Sequence, residues 1–162
     1  VAAVGVALAR AAPGIELHAA DIDPAAVACA GRNVASVAPP SNGHVYQGDL
    51  DAPLPDALRG RVDVMLANAP YVPTDAIALM PPEARDHEPA VALDGGPDGL
   101  DVQRRVASLS PGWLRPGGHL IIETSERQAP LTAAAMTDAG LVPRIVRDDE
   151  LDGTVVIGTL RA

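Results

Sequence analysis

The chain has 162 residues, 48% of them apolar and 20% charged, with a formal net charge of −9. That size suits one domain with a buried core and no metal or disulfide staple, and the lone cysteine, Cys29, excludes an internal disulfide or a cysteine metal cluster. The acidic balance argues against direct nucleic-acid binding over a broad surface. With no signal-peptide pattern and no long apolar span, the expectation is a soluble, cytoplasmic protein with no membrane partner.

The predicted elements alternate in type. Val1 to Ala12 reads as an alanine-rich helix, broken by Pro13 and Gly14. Because the chain opens inside that apolar run, further sequence upstream is expected. Ile15 to Ala20 is a strand, and Asp23-Pro24 is an N-cap and first helical residue of a helix reaching about Val34. His44 to Gln47 and Val62 to Ala67 are the next strands. Leu100 to Leu114 reads as a helix, turned by Pro116-Gly117-Gly118 into a strand from His119 to Glu123. Ser125 and Gln128 have capping-box spacing before a helix that Gly140 ends. Strands at Val142 to Arg147 and Thr154 to Leu160 close the chain. Alternating strands and helices predict an α/β fold with a mostly parallel sheet, and the last two strands an antiparallel end.

Tyr71 to Gly99 breaks the alternation with five prolines and three glycines between strand and helix. Irregular stretches beyond ~12–15 residues inside a compact domain are uncommon and are usually functional or disordered. This one follows the C-terminal end of a strand, the edge where open α/β sheets bind ligands.

Three positions can carry chemistry. Asp21, at the end of a strand, can accept hydrogen bonds from both ribose hydroxyls of a nucleoside; taken alone it reads rather as a solvated turn acid. In dinucleotide folds such an acid lies about 20 residues after a Gly-rich turn, and counting back that far from Asp21 reaches Val1. Asp49, just past the next strand, can accept from an adenine amino group or serve as a turn residue beside Gly48. Asn68-Ala69-Pro70-Tyr71, at the end of the Val62–Ala67 strand, is the third. An amide nitrogen is a poor nucleophile because its lone pair is delocalised. The Asn68 side-chain oxygen and the Ala69 carbonyl can each accept one N–H of a target amide, orient it and stabilise the charge that develops on nitrogen. Pro70 stiffens the turn, and Tyr71 can pack on the substrate. Asn-Pro-type turns are also common by chance. The four histidines, His18, His44, His87 and His119, have no metal-ligand spacing and read as structural, with no metal expected.

Taken together these residues resemble the protein-(glutamine-N5) methyltransferases, the HemK/PrmC family. The most specific part is residues 67 to 101, where the family's NPPY signature is followed by a proline-rich cover. Here its parts are Pro81-Pro82-Glu83, Arg85-Asp86-His87-Glu88-Pro89 and Ala92-Leu93-Asp94-Gly95-Gly96. The resemblance implies a Rossmann-like class I methyltransferase fold using S-adenosylmethionine. It implies a protein substrate, the glutamine of a Gly-Gly-Gln loop in a peptide chain release factor. It assigns Asp21 with Ile22 to the ribose side and Asp49 with Leu50 to the adenine side. Asn68, Ala69, Pro70 and Tyr71 become the amide site, Asn68 also touching the cofactor, with Glu83 on the substrate.

Three departures stand out. NPPY is NAPY here, and Ala69 samples more backbone conformations than proline. The family's E-x-G-x-x-Q is Glu123 to Gln128 with Ser125 in place of glycine. The family's N-terminal helical domain, first strand and Gly-rich loop have no counterpart in the sequence. Two other readings compete: an adenine or guanine amino methyltransferase, expected to show a basic face, and an inactive methyltransferase remnant, expected not to bind cofactor.

Overall fold

The computed structural model describes residues 2–39, 42–80 and 90–162. The chain divides into two compact units, Val1–Leu58 and Arg59–Ala162.

In the first unit, helix α1 (Ala3–Ala11) ends before the predicted break and packs on strand β1 (Leu17–Asp21). Helix α2 (Pro24–Ala35) begins as its sequence dictates. Asp23 stays extended and its Oδ1 accepts the Ala25 N–H at 2.9 Å, a cap that stabilises a helix by about 1 kcal/mol. Its Ala30 and Val34, four residues apart and hence on one face, are each 2% exposed. Strand β2 (Gly43–Gln47) pairs in parallel with β1, from Leu17 opposite Gly43 to Asp21 opposite Gln47.

The second unit is built on a four-stranded sheet. Strand β3 (Val62–Ala67) pairs in parallel with β4 (Leu114–Glu123). Strand β6 (Gly153–Leu160) is antiparallel both to β4 and to β5 (Leu141–Asp148), so the order is β3-β4-β6-β5. A four-residue helix, α3 (Ala90–Leu93), precedes helix α4 (Asp101–Leu109). Helix α5 (Ala129–Asp138) packs on α4 and on the β5–β6 hairpin. Trp113, Leu114, Leu120, Ile122, Met136 and Val156, each at most 1% exposed, form the core.

Two boundaries differ from the sequence reading. The helix expected from Leu100 to Leu114 stops at Leu109. Pro111 then sits in a short 3₁₀ turn, Ser110–Gly112. Strand β4 starts at Leu114 rather than His119 and carries Pro116, Gly117 and Gly118 inside it. The pairing register jumps between Val62 and Val64, so these turn-forming residues are taken up as a bulge, the place where a strand tolerates proline. The parallel and antiparallel pairings are those expected, but the strands lie in two sheets rather than one. β2 and β3 are joined by residues 48–61, a run of turns with a short 3₁₀ segment.

Candidate active site

In the first unit, pairing in parallel brings the C-terminal ends of β1 and β2 side by side. The Gly48 N–H donates to the Asp21 carbonyl at 3.0 Å, which sets Asp21 and Ile22 next to the Gly48–Asp49–Leu50 turn. The Asp23 N–H donates to Asp21 Oδ1 at 3.0 Å, fixing the carboxylate on the turn. Ile22 is 51% exposed, and Asp49 is exposed. Leu50 has φ 50°, the left-handed region that L-residues with bulky side chains avoid. Such strain persists where surrounding structure holds it, and it clusters at ligand sites. Two acidic acceptors flanked by two apolar side chains are therefore gathered at the end of one parallel pair.

The second unit holds the Asn68–Tyr71 turn. Asn68 directly follows β3 and is exposed, whereas Ala69 is 6% exposed. The chain leaving the turn is clamped. Gln128 Nε2 donates to the Tyr71 carbonyl at 2.9 Å and to the Asp98 carbonyl at 3.0 Å. The Gln128 Oε1 accepts from the Ser125 hydroxyl at 2.6 Å, so one buried amide is satisfied on both sides. Val72 is bridged to Asp94, the Val72 N–H donating to the Leu93 carbonyl at 3.1 Å and the Gly95 N–H to the Val72 carbonyl at 2.9 Å. The Thr74 N–H donates to the Gly96 carbonyl at 3.0 Å.

Two glycines permit this closeness. A Cβ on Gly95 would lie 2.6 Å from the Gly99 carbonyl oxygen and 2.7 Å from that of Pro70. Gly99 has φ +79°, and its Cβ would collide with the Tyr71 carbonyl and the Gln128 amide. The segment 93–99 thus runs against the back of the turn with no room for a side chain at Gly95 or Gly99.

Charge around the turn is organised locally. The Thr74 hydroxyl donates to Asp94 Oδ1 at 2.7 Å and the Gly96 N–H to the same oxygen at 2.9 Å, and these two bonds hold the Asp94 carboxyl below its usual range. Asp98 is likewise lowered, chiefly by its 2.5 Å bond from the Arg104 guanidinium. Beneath, Gln103, Thr124 and Thr132 form a buried chain, with the Thr132 hydroxyl donating to Gln103 Oε1 at 2.6 Å. A cleft of about 310 Å³ opens beside Tyr71, lined among others by Glu123, Glu126, Asp148, Asp149 and Arg147. Arg147 pairs with Glu126 at 2.6 Å, leaving the cleft acidic on balance. A larger cleft of about 370 Å³ lies between α4 and α5, away from the strand ends and from the Asn68 turn.

Comparison with known proteins places this geometry. No family profile matches the chain. A release factor glutamine methyltransferase of Gloeobacter violaceus is 41% identical over 128 residues, 79% of this chain and 44% of its own length. That of Cereibacter sphaeroides is 38% identical over 150 residues, 93% of this chain and 52% of its own length. By sequence the chain is similar to the release factor glutamine methyltransferases. It spans about half the length of the curated relatives it matches. A crystal structure of a methyltransferase from Pyrococcus furiosus superimposes with a TM-score of 0.67 at 12% identity, over 99% of this chain and 70% of that one. An S-adenosylmethionine-dependent methyltransferase, SibL, gives 0.59 at 17% identity, over 99% of this chain and 48% of that one. The fold is accordingly the Rossmann-like fold of class I S-adenosylmethionine-dependent methyltransferases.

Set against the family's pattern, the structure gives several residues a role that sequence did not. Gln128, read as half of a capping box, does donate its backbone N–H to the Ser125 hydroxyl at 3.3 Å, but its side-chain amide turns onto Tyr71 and α5 starts only at Ala129. Ser125, where the family has glycine, does meet Gln128 through its hydroxyl. Leu93 to Gly96 of the glutamine methyltransferase pattern braces the chain after Tyr71. Glu83 and the Pro81–Pro89 segment fall outside the described residues. Asp21, Ile22, Asp49 and Leu50 gather in the first unit; Asn68 to Tyr71 belong to the second. Two of the histidines, which in sequence have no metal-ligand spacing, are brought together by strand pairing, His18 opposite His44. A spacing of 26 residues carries no such signal. No helix among the described residues is long and apolar enough to cross a membrane.

Proposed function

We propose that this chain is the catalytic portion of a cytoplasmic methyltransferase acting on the side-chain amide nitrogen of a protein glutamine, in the Gly-Gly-Gln loop of a peptide chain release factor. The observation that carries this reading is the 36–41% identity to release factor glutamine methyltransferases over most of the chain.

The residues present fit S-adenosylmethionine. Asp21 offers a carboxylate to ribose hydroxyls, Asp49 an acceptor to the adenine amino group, and Ile22 and Leu50 apolar surface to the base. The cofactor supplies a methyl made electrophilic by its sulfonium. Asn68 Oδ1 and the Ala69 carbonyl would accept the two N–H bonds of the glutamine amide, orienting its nitrogen and stabilising the positive charge it gains. Pro70 offers no competing N–H. Tyr71 packs on the substrate; Glu83, assigned to the substrate by the resemblance, lies outside the described residues. The proton lost from nitrogen after transfer passes to solvent.

A protein substrate also suits the electrostatics. With a net charge of −9 and an acid-lined cleft beside Tyr71, the surface attracts a basic peptide and repels a polyanion. Incubation with S-adenosylmethionine and a release factor, followed by peptide mass mapping, is expected to add one methyl to the loop glutamine. Methyl found on nucleic acid alone, or calorimetric titration showing that S-adenosylmethionine does not bind, would overturn the proposal.

A further inference from the structure

We infer that Glu16, His18 and His44 form a surface site for a zinc-class divalent ion that ties β1 to β2, independently of the methyltransferase reading. Parallel pairing places His18 directly opposite His44, so both imidazoles leave the same face of the sheet. Their rings stack with centroids 4.8 Å apart at 24°. Glu16, two residues before His18 in extended chain, projects to that face, and its Oε1 is 2.9 Å from His18 Nε2. One ligand atom from each of the three residues lies within 4.8 Å of the others.

Once an ion replaces the proton between His18 Nε2 and Glu16, the surroundings can hold the metal-binding tautomer. Tyr46 follows two residues after His44 on the same face, and its hydroxyl is 3.1 Å from His18 Nδ1. With Nδ1–H donating to that hydroxyl, the Nε2 lone pair is left for a ligand. Metal-bound histidines regularly make this kind of outer hydrogen bond. The ion then takes the position of the proton now shared between Nε2 and Glu16.

Two imidazoles and one carboxylate select borderline cations such as Zn²⁺, whereas Mg²⁺ and Ca²⁺ prefer all-oxygen sites. Zinc bonds of about 2.0–2.1 Å put tetrahedral ligand atoms roughly 3.4 Å apart. Turning the His44 ring and adjusting the Glu16 side chain, 58% exposed, closes the remaining gap. His18 is 15% exposed, so its imidazole is held by its neighbours while Glu16 faces solvent. Three protein ligands leave a fourth position for water.

The site has a mechanical consequence. A two-stranded sheet is marginal by itself, and an ion bound only by the folded pair stabilises it by mass action. The site lies in the first half of the strands. Asp21 is three residues further along β1, about 10 Å away, so a nucleoside at the strand ends does not compete with the ion.

The test is titration of ZnCl₂ into the chelator-treated chain, followed by calorimetry and thermal melting. The expected result is one ion per chain with micromolar affinity and a raised Tm. His44→Ala is expected to weaken binding by at least about tenfold, with His119→Ala as an unaffected control. Should His44→Ala fail to fold, Co²⁺ added to the unaltered chain is expected to give visible absorption of nitrogen-ligated cobalt. Binding unchanged in folded His44→Ala, or cobalt absorption no stronger than that of the hydrated ion, overturns the inference.

Discussion

Asn68 separates acceptor chemistry from cofactor binding. Asn68→Ala removes one of two acceptors for the target amide and nothing from Asp21 or Asp49, so methyl transfer is expected to fall by about 100-fold while calorimetric affinity for S-adenosylmethionine, which Asn68 also touches, falls far less. Unchanged turnover would take Asn68 out of the mechanism. Ala69→Pro restores the ring that stiffens the second acceptor and is expected to raise the rate; an unaltered rate would mean that the clamp behind the turn already fixes that carbonyl. Gln128→Ala tests the clamp. It leaves the Tyr71 and Asp98 carbonyls and the Ser125 hydroxyl without the partner they now have. A loss of about 1–3 kcal/mol is expected in urea denaturation, with lower turnover in the folded fraction. At this scale the place of the four-residue turn was legible, because the apolar run before it and Pro70 mark where β3 ends. Gln128 was half legible, since its spacing from Ser125 marks a cap but cannot show that its amide crosses to Tyr71. The pairing of His18 with His44 was not legible, because register between strands has no signature in spacing.

At the scale of elements, the turn is as rigid as the segment behind it. Gly99→Ala forces a Cβ into the Tyr71 carbonyl and keeps a left-handed backbone at φ +79°. The expected outcome is destabilisation of more than about 1 kcal/mol together with weaker methyl transfer; a neutral effect on both would show that the 93–99 segment yields easily. The Asp94 tie adds a pH dependence. Because Asp94 titrates below its usual value when folded, its contribution is complete above the ordinary carboxylate range and is lost as pH falls through the depressed value. An NMR titration is expected to find the Asp94 midpoint below 3.8, and Thr74→Val is expected to move it upward. The strands and α2 were legible from periodicity and the Asp23-Pro24 cap. The misplaced junction at residues 109–119 has a physical reason. Pro116-Gly117-Gly118 has the composition of a turn, and only the pairing of β4 with β3 absorbs it as a bulge.

For the whole molecule, stability is distributed unevenly between the two units. Among the described residues of the first, Ala9, Ala30 and Val34 are the buried apolar side chains; the second buries Trp113, Leu120, Ile122, Met136 and others. Burial contributes roughly 25 cal/mol per Å² of apolar surface, so small side chains in a two-stranded unit leave it near the low end of local stability. Amides of β1 and β2 are therefore expected to exchange with solvent much faster than those of β4 and β6, measured by hydrogen exchange under native conditions. Zinc is expected to slow exchange in β1 and β2 while leaving β4 and β6 as they were, because Glu16, His18 and His44 all lie in the first unit. Under the proposed function S-adenosylmethionine is held by Asp21 and Asp49 at the other end of the same strands, so its protection should add to that of zinc. Equal exchange in both sheets, with or without ligands, would instead mean that residues 1–162 open as one cooperative body, and that the thin core of the first unit does not set its stability.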